Sequence, residues 1–163
     1  MGINFYLATP RRMEAHNWYI PHCTEYPQWA NGPPGDYGTW PGSVLHIGKS
    51  SGGWCFGLHV FPDFGISSLD DWKAKWSEGL IIDECERVIS PKSMTRIIED
   101  RHGIQHNDTW FRDIQRFGYN SEADFHRRNH SQPGPHDLVR HKLGKHCIGH
   151  GEGTWDLIVG EFC

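Results

Sequence analysis

Residues 45–60 read LHIGKSSGGWCFGLHV, and Gly48-Lys49-Ser50 within them has the form of the close of a phosphate-binding P-loop. A P-loop needs G-x-x-x-x-G-K-[ST] between a strand and a helix. The first glycine would fall at position 43, which is Ser43, and Gly42 is one place early. The intervening Val44, Leu45, His46 and Ile47 are mostly apolar and include β-branched residues, which suits a strand. Nothing after Ser51 favours a helix, because Gly52-Gly53 interrupts and residues 54–61 are rich in strand formers. The segment therefore reads as a β-hairpin: strand 43–48, a turn through 49–53, and a returning strand 54–61. Two readings of the turn stay open. In one, glycine-permitted backbone N–H groups, the Lys49 charge and the Ser50 and Ser51 hydroxyls bind an anion, with Trp54 beside them. In the other it is a plain polar turn.

The chain has 163 residues, which suits a single domain over 1–163 with a core that needs no disulfides. Five cysteines (23, 55, 85, 147 and 163), an odd number without a CxxC, fit a reduced, cytoplasmic chain. No run approaches a membrane span. The opening MGINFY lacks the basic and long apolar regions of a signal peptide, and Tyr6 stands where myristoylation wants Ser or Thr. The net charge of −4 is unevenly spread. Between 126 and 146, Arg127, Arg128, Arg140, Lys142 and Lys145 face only Asp137, and five of the chain's twelve histidines lie there too. A local basic segment on an acidic chain suits a compact anion better than long duplex DNA, which favours a broadly basic face. A solvated basic loop is the alternative.

Residues 2–9 read as a first strand. Residues 10–42 form a long Pro-rich stretch with six Trp and Tyr residues, too aromatic for disorder and expected to pack over the sheet as a ligand flap or a plain insertion. Ser67 or Ser68 caps a helix to about Glu78, with Asp70 and Asp71 in its first turn and Leu69, Trp72 and Trp76 on one face. Residues 80–83 and 87–89 read as strands, and Ser90-Pro91 opens a helix bearing Met94, Ile97 and Ile98 that stops at Gly103. Residues 104–120 are expected to mix helix and loop, 121–129 to form a short helix, 130–153 to be loop, and 155–162 to be a final strand. The sum is α+β: a mainly antiparallel sheet, two or three short helices and long aromatic loops.

The motifs resemble a family of small uncharacterised proteins encoded by tailed bacteriophages. Its pattern is M-G-x-N-x-Y-L, then H-I-G-K-S-S-x-G-W-x-F-x-L-H, then L-x-D-W, D-E and I-S-x-x-x-M. These stand here at Met1 to Leu7, His46 to His59, Leu69 to Trp72, Asp83-Glu84 and Ile89 to Met94. The resemblance covers most of 1–101 and implies action in the cytoplasm of an infected host cell; it supplies no reaction. Family members carry a C-P-x-C-type knuckle before H-I-G-K-S-S, implying zinc. This chain has only Cys23 there, beside His16 and His22.

The densest set of metal-ligand types is His141-x4-His146-Cys147-x2-His150. Imidazole and thiolate suit zinc, although this spacing matches no standard finger. Cys147 and His150 are the expected ligands, joined by His146, His22 or Cys23. His46 and His59 flank the hairpin and are expected to approach each other across it, where Ser50 or Ser51 would offer a hydroxyl for acid–base or nucleophilic work. Three functions compete. The favoured one is a phage accessory protein that binds a small anionic, nucleotide-like ligand, such as a signal of host defence, without turning it over. Its contacts would be Lys49, Ser50, Ser51, Trp54, His46, His59 and Arg140, since phosphate needs cations and bases need ring faces. The others are a protein inhibitor of a host enzyme, docking through the aromatic loop, and a metal-dependent hydrolase built on the C-terminal His/Cys cluster.

Overall fold

The computed structural model describes residues 2–8, 45–85, 87–99, 116–152 and 154–160. The segments 10–42 and 104–115 lie outside the described residues. The strands are β1 (Gly2–Ala8), β2 (Leu45–Ser51), β3 (Phe56–His59), β4 (Leu80–Asp83), β5 (Val88–Ile89), β6 (Ser131–Pro133), β7 (Val139–His141), β8 (Cys147–His150) and β9 (Trp155–Ile158). The helices are α1 (Leu69–Lys75), α2 (Pro91–Glu99) and α3 (Glu122–Arg128). Seven strands form one sheet in the order β5-β4-β1-β2-β3-β9-β8, and β6 and β7 form a separate ribbon. Among the described strands only β3 and β9 pair in parallel, so the fold is α+β with a mainly antiparallel sheet, as the sequence predicts. Among the described residues, no helix is long and apolar enough to cross a membrane.

Residues 45–60 do form the hairpin, and no helix starts at Ser50. Its boundaries differ from the expected ones. Lys49, Ser50 and Ser51 belong to β2 and pair with Asn4, Ile3 and Gly2, so the turn is confined to Gly52-Gly53. The first strand supplies ladder partners out to Ser51, and these hold the backbone extended where the glycines alone suggested a turn. Residues 130–153, expected as loop, contain β6, β7 and β8. Proline and glycine there mark the ends of very short strands, too short for a visible period of two.

Helix capping follows the sequence. The Ser68 hydroxyl accepts the Asp71 amide at 3.1 Å, and Asp71 accepts the Ser67 amide at 2.9 Å. Ser121 caps α3 in the same way through Asp124. The chain tightens into a 3-10 turn at Trp76–Glu78 before Gly79 releases it. Leu69, Trp72 and Trp76, with Met94 and Ile98 of α2, bury against Phe5, Leu7, Ile47, Phe56, Leu58 and Ile81. This is the main core, on one face of the sheet. The Trp72 indole N–H is satisfied by the His59 carbonyl at 2.7 Å.

The other face begins with Tyr6, Ala8 and Ile82, and its further membership depends on a β-bulge in β2. Tyr6 pairs with His46 but Phe5 pairs with Gly48, leaving Ile47 as the extra residue. Side chains alternate faces along a regular strand, so His46 and Lys49, three apart, would diverge; the bulge restores them to the same face. Only glycine fits at Gly48. Its φ is +154°, and a Cβ there would lie 2.1 Å from the Gly57 carbonyl oxygen and 2.6 Å from the Phe56 ring. Gly48→Ala is therefore expected to cost about 2–4 kcal/mol of stability. Gly52→Ala, where a Cβ meets nothing within 4 Å, should stay within about 0.5 kcal/mol. Denaturant unfolding of the two variants checks this.

Candidate functional site

The face of the sheet opposite α1 and α2 carries the chemistry. The pairing places Lys49 opposite Gly57, Gly57 opposite Asp156 and Asp156 opposite His150, a row across β2, β3, β9 and β8. A second bulge occurs in β8. Cys147 pairs with Ile158 and Gly149 with Leu157, so Ile148 is the extra residue. Cys147 and His150, three apart, are thereby brought to the same face as Asp156.

Asp156 is fully buried, and a buried carboxylate persists only when charges and donors compensate its lost hydration. Oδ2 accepts the His141 backbone N–H at 2.9 Å and faces His141 Nδ1 at 3.1 Å. Oδ1 faces His150 Nδ1 at 2.8 Å and forms an ion pair with Arg140 Nε at 2.7 Å. Arg140 also donates from Nη2 to the Trp155 carbonyl at 3.0 Å. Burial acts to raise the Asp156 pKa, but the bonds from His141 and His150 and the Arg140 charge outweigh it, leaving the pKa lowered. Cys147 Sγ lies 4.0 Å from His150 Nδ1, and burial and the Asp156 charge push its thiol up to about 11. This is not a Cys-His-Asp relay. A relay needs the two partners on opposite imidazole nitrogens, whereas Cys147 and Asp156 both face Nδ1 of His150. The thiol is also poorly ionised, contrary to what a nucleophile needs. Among the described residues, Cys147, His150 and Asp156 form the one group with ligand atoms close enough to share a metal ion.

His46 and His59 meet as expected, Nδ1 to Nδ1 at 3.1 Å, both buried. Such a contact requires one imidazole to donate and the other to accept, so the two cannot both be protonated. Burial, the neighbouring His59 and the Lys49 charge lower His46 to about 3; burial lowers His59 to about 4. Ser50 and Ser51 lie four and five residues further along β2, about 13 Å or more away by strand rise, so they do not supply the pair with a nucleophile.

The remaining expected residues are dispersed. Trp54 stacks near His141, with ring centroids 4.7 Å apart. It also lines a cleft of about 180 Å³ with the Gly52-Gly53 turn, Phe117, Tyr119, Phe125 and Asn129. Lys49, Ser50 and Ser51 are not among the lining residues. His146 is exposed, with Nδ1 3.3 Å from the Val159 carbonyl oxygen; Asp156 takes the place expected for it beside Cys147 and His150. His22 lies outside the described residues. The basic segment is partly paired, Arg127 with Asp124 and Arg140 with Asp156, and Arg128 more loosely with Asp124 at 3.5 Å. Asp156 itself is absent from the sequence-based site. The available signal was an aspartate inside the apolar run WDLIV, where a charge needs a partner. No protein-family model, curated protein or solved structure matches the chain.

The His46–His59 contact has a measurable consequence. Both groups stay neutral in the folded protein but take up protons once unfolded, near the ordinary pKa of 6.5. Between that value and about 4 the unfolded chain binds more protons, so stability falls on acidification. The expected loss is up to about 1.4 kcal/mol per pH unit for each imidazole. Denaturant unfolding at several pH values between 7 and 4.5 should show this slope, and His59→Gln should reduce it. An unchanged slope in that variant would assign the effect to other groups.

Proposed function

We propose that the protein binds a small anionic ligand with a planar ring, of nucleotide type, in the cleft at the Gly52-Gly53 turn, and holds it without converting it. The observation that carries this reading is the convergence of Trp54, Phe117, Tyr119 and Phe125 on one cleft at that turn, with a cation at its border. The Arg128 guanidinium stands 4.5 Å from the Tyr119 ring centre, on a side chain nearly half exposed and only loosely paired with Asp124 at 3.5 Å. Ring faces stack on bases with about 1–3 kcal/mol each, and a guanidinium fork matches phosphate oxygens. The Asn129 amide, which donates to the Tyr119 hydroxyl at 3.0 Å, offers polar contact at the ring edge. The cleft's volume of about 180 Å³ suits one ring system, with the phosphate left outside. Lys49 lies three residues before the turn, about 10 Å along the strand, within reach of an extended phosphate chain only. In the setting implied by the phage resemblance, such a protein would withdraw a nucleotide signal from host defence.

Calorimetry against mono-, di- and cyclic nucleotides tests the proposal. At least one should bind well below millimolar and be recovered chemically unchanged. Tyr119→Leu and Arg128→Gln should each weaken binding by roughly 10- to 100-fold, from losses of about 1.5–3 kcal/mol. Added salt should weaken the wild type more than Arg128→Gln. Lys49→Ala should affect only ligands with two or more phosphates in series. Absence of any binding, with a host protein co-purifying, would replace this reading by the protein-inhibitor one; consumption of the ligand would favour a hydrolase.

A further inference from the structure

We propose that Cys147, His150 and Asp156 bind one divalent transition-metal ion, with zinc the best match to the donors. Three independent features of the geometry support it. First, three different donor types converge: Cys147 Sγ, a His150 ring nitrogen and an Asp156 oxygen all lie within 4.8 Å of one another. A thiolate, an imidazole and a carboxylate together select zinc over calcium or magnesium, which take oxygen alone. Second, the convergence depends on a local backbone feature. Without the bulge at Ile148-Gly149, Cys147 and His150 would project from opposite faces of β8. Third, the surroundings supply supporting contacts of the kind metal centres use. The Asp156 oxygen Oδ2 is already oriented by the His141 amide at 2.9 Å, and the Gln132 amide stands 3.4 Å from His150 Nε2. With Nδ1 on the metal, the His150 proton sits on Nε2, and the Gln132 carbonyl oxygen accepts it after a half-turn of the amide.

Little movement is required. Tetrahedral zinc with bonds of about 2.0–2.3 Å sets ligand atoms roughly 3.3–3.8 Å apart. The His150–Asp156 contact of 2.8 Å must open by less than about 1 Å, and the Cys147–His150 contact of 4.0 Å must close slightly. The thiol proton leaves to solvent as the metal–sulfur bond forms. Arg140 keeps its place on Asp156, whose oxygen has a lone pair for each partner. Three protein donors leave a fourth position for water.

The test is titration of the full chain, stripped of metal, with cobalt and then zinc. The expected result is one equivalent bound, a thiolate-to-cobalt charge-transfer band in the near ultraviolet, and displacement of that band by zinc. Cys147→Ser should abolish the band, and His150→Gln should weaken cobalt binding by at least about tenfold. His146→Ala should change neither. If Cys147→Ser does not fold, His150→Gln and His146→Ala in the same titration decide. Binding below about a tenth of an equivalent at micromolar metal would overturn the site. So would a charge-transfer band retained by folded Cys147→Ser, or loss of binding in His146→Ala with binding intact in His150→Gln.

Discussion

A β-strand sends alternate side chains to opposite faces, so residues three apart are normally separated by the thickness of the sheet. In β2 this rule is broken at Ile47-Gly48, and much of the molecule depends on the break. Ile47 enters the helical core, while His46 and Lys49 both face the other way. His46 can then meet His59 and Tyr6. A regular strand that buried Ile47 would carry Lys49 into the core with it. The cost is a backbone conformation closed to every side chain but hydrogen, with the Gly57 carbonyl and the Phe56 ring filling the space where a Cβ would be.

Asp156 is the second organising element. Its two oxygens face Arg140 and His141 of β7 and His150 of β8, so one buried charge ties the small ribbon onto the large sheet. Truncating a partner would leave that charge uncompensated in a low-dielectric setting, a loss larger than the net value of the contact itself. The Trp54 ring also lies against His141, and the Cys55 amide donates to the Val139 carbonyl at 2.7 Å. The aromatic cleft and the Asp156 cluster are thus two sides of one assembly, joined through β7.

The helices and most strands were legible because their signals are local. Ser68 and Ser121 announce helix starts through hydroxyls that cap the first turn, and Leu69, Trp72 and Trp76 show the helical period. Residues 80–83 were apolar enough to be found outright. The hairpin was legible, but its boundary was not: whether Lys49 belongs to a turn or a strand depends on β1, some forty residues earlier in the chain. The short strands of 130–150 carry three or four residues each, and their order comes from pairing with β9 and with one another. The candidate site was half legible. Residue type pointed to Cys147 and His150, but the choice of Asp156 over His146 rests on cross-strand register. The proximity of His46 and His59 was readable from hairpin symmetry; Lys49 and Trp54 are close in sequence yet serve different surroundings.

The bulge at Ile148-Gly149 has one more effect. Among the described residues β8 is one border of the sheet and β5 is the other. A border strand exposes a row of unpaired amides and carbonyls to any extended chain that can match its spacing. β5 has two residues, too few to template an addition. β8 is longer, with an exposed Ile148 at its middle, and an apolar residue on a straight border would invite a second molecule to add a strand. Because Ile148 is the surplus residue of the bulge, the spacing of the border is interrupted there. The same irregularity that gathers Cys147 and His150 therefore also works against the addition of a further strand along this margin.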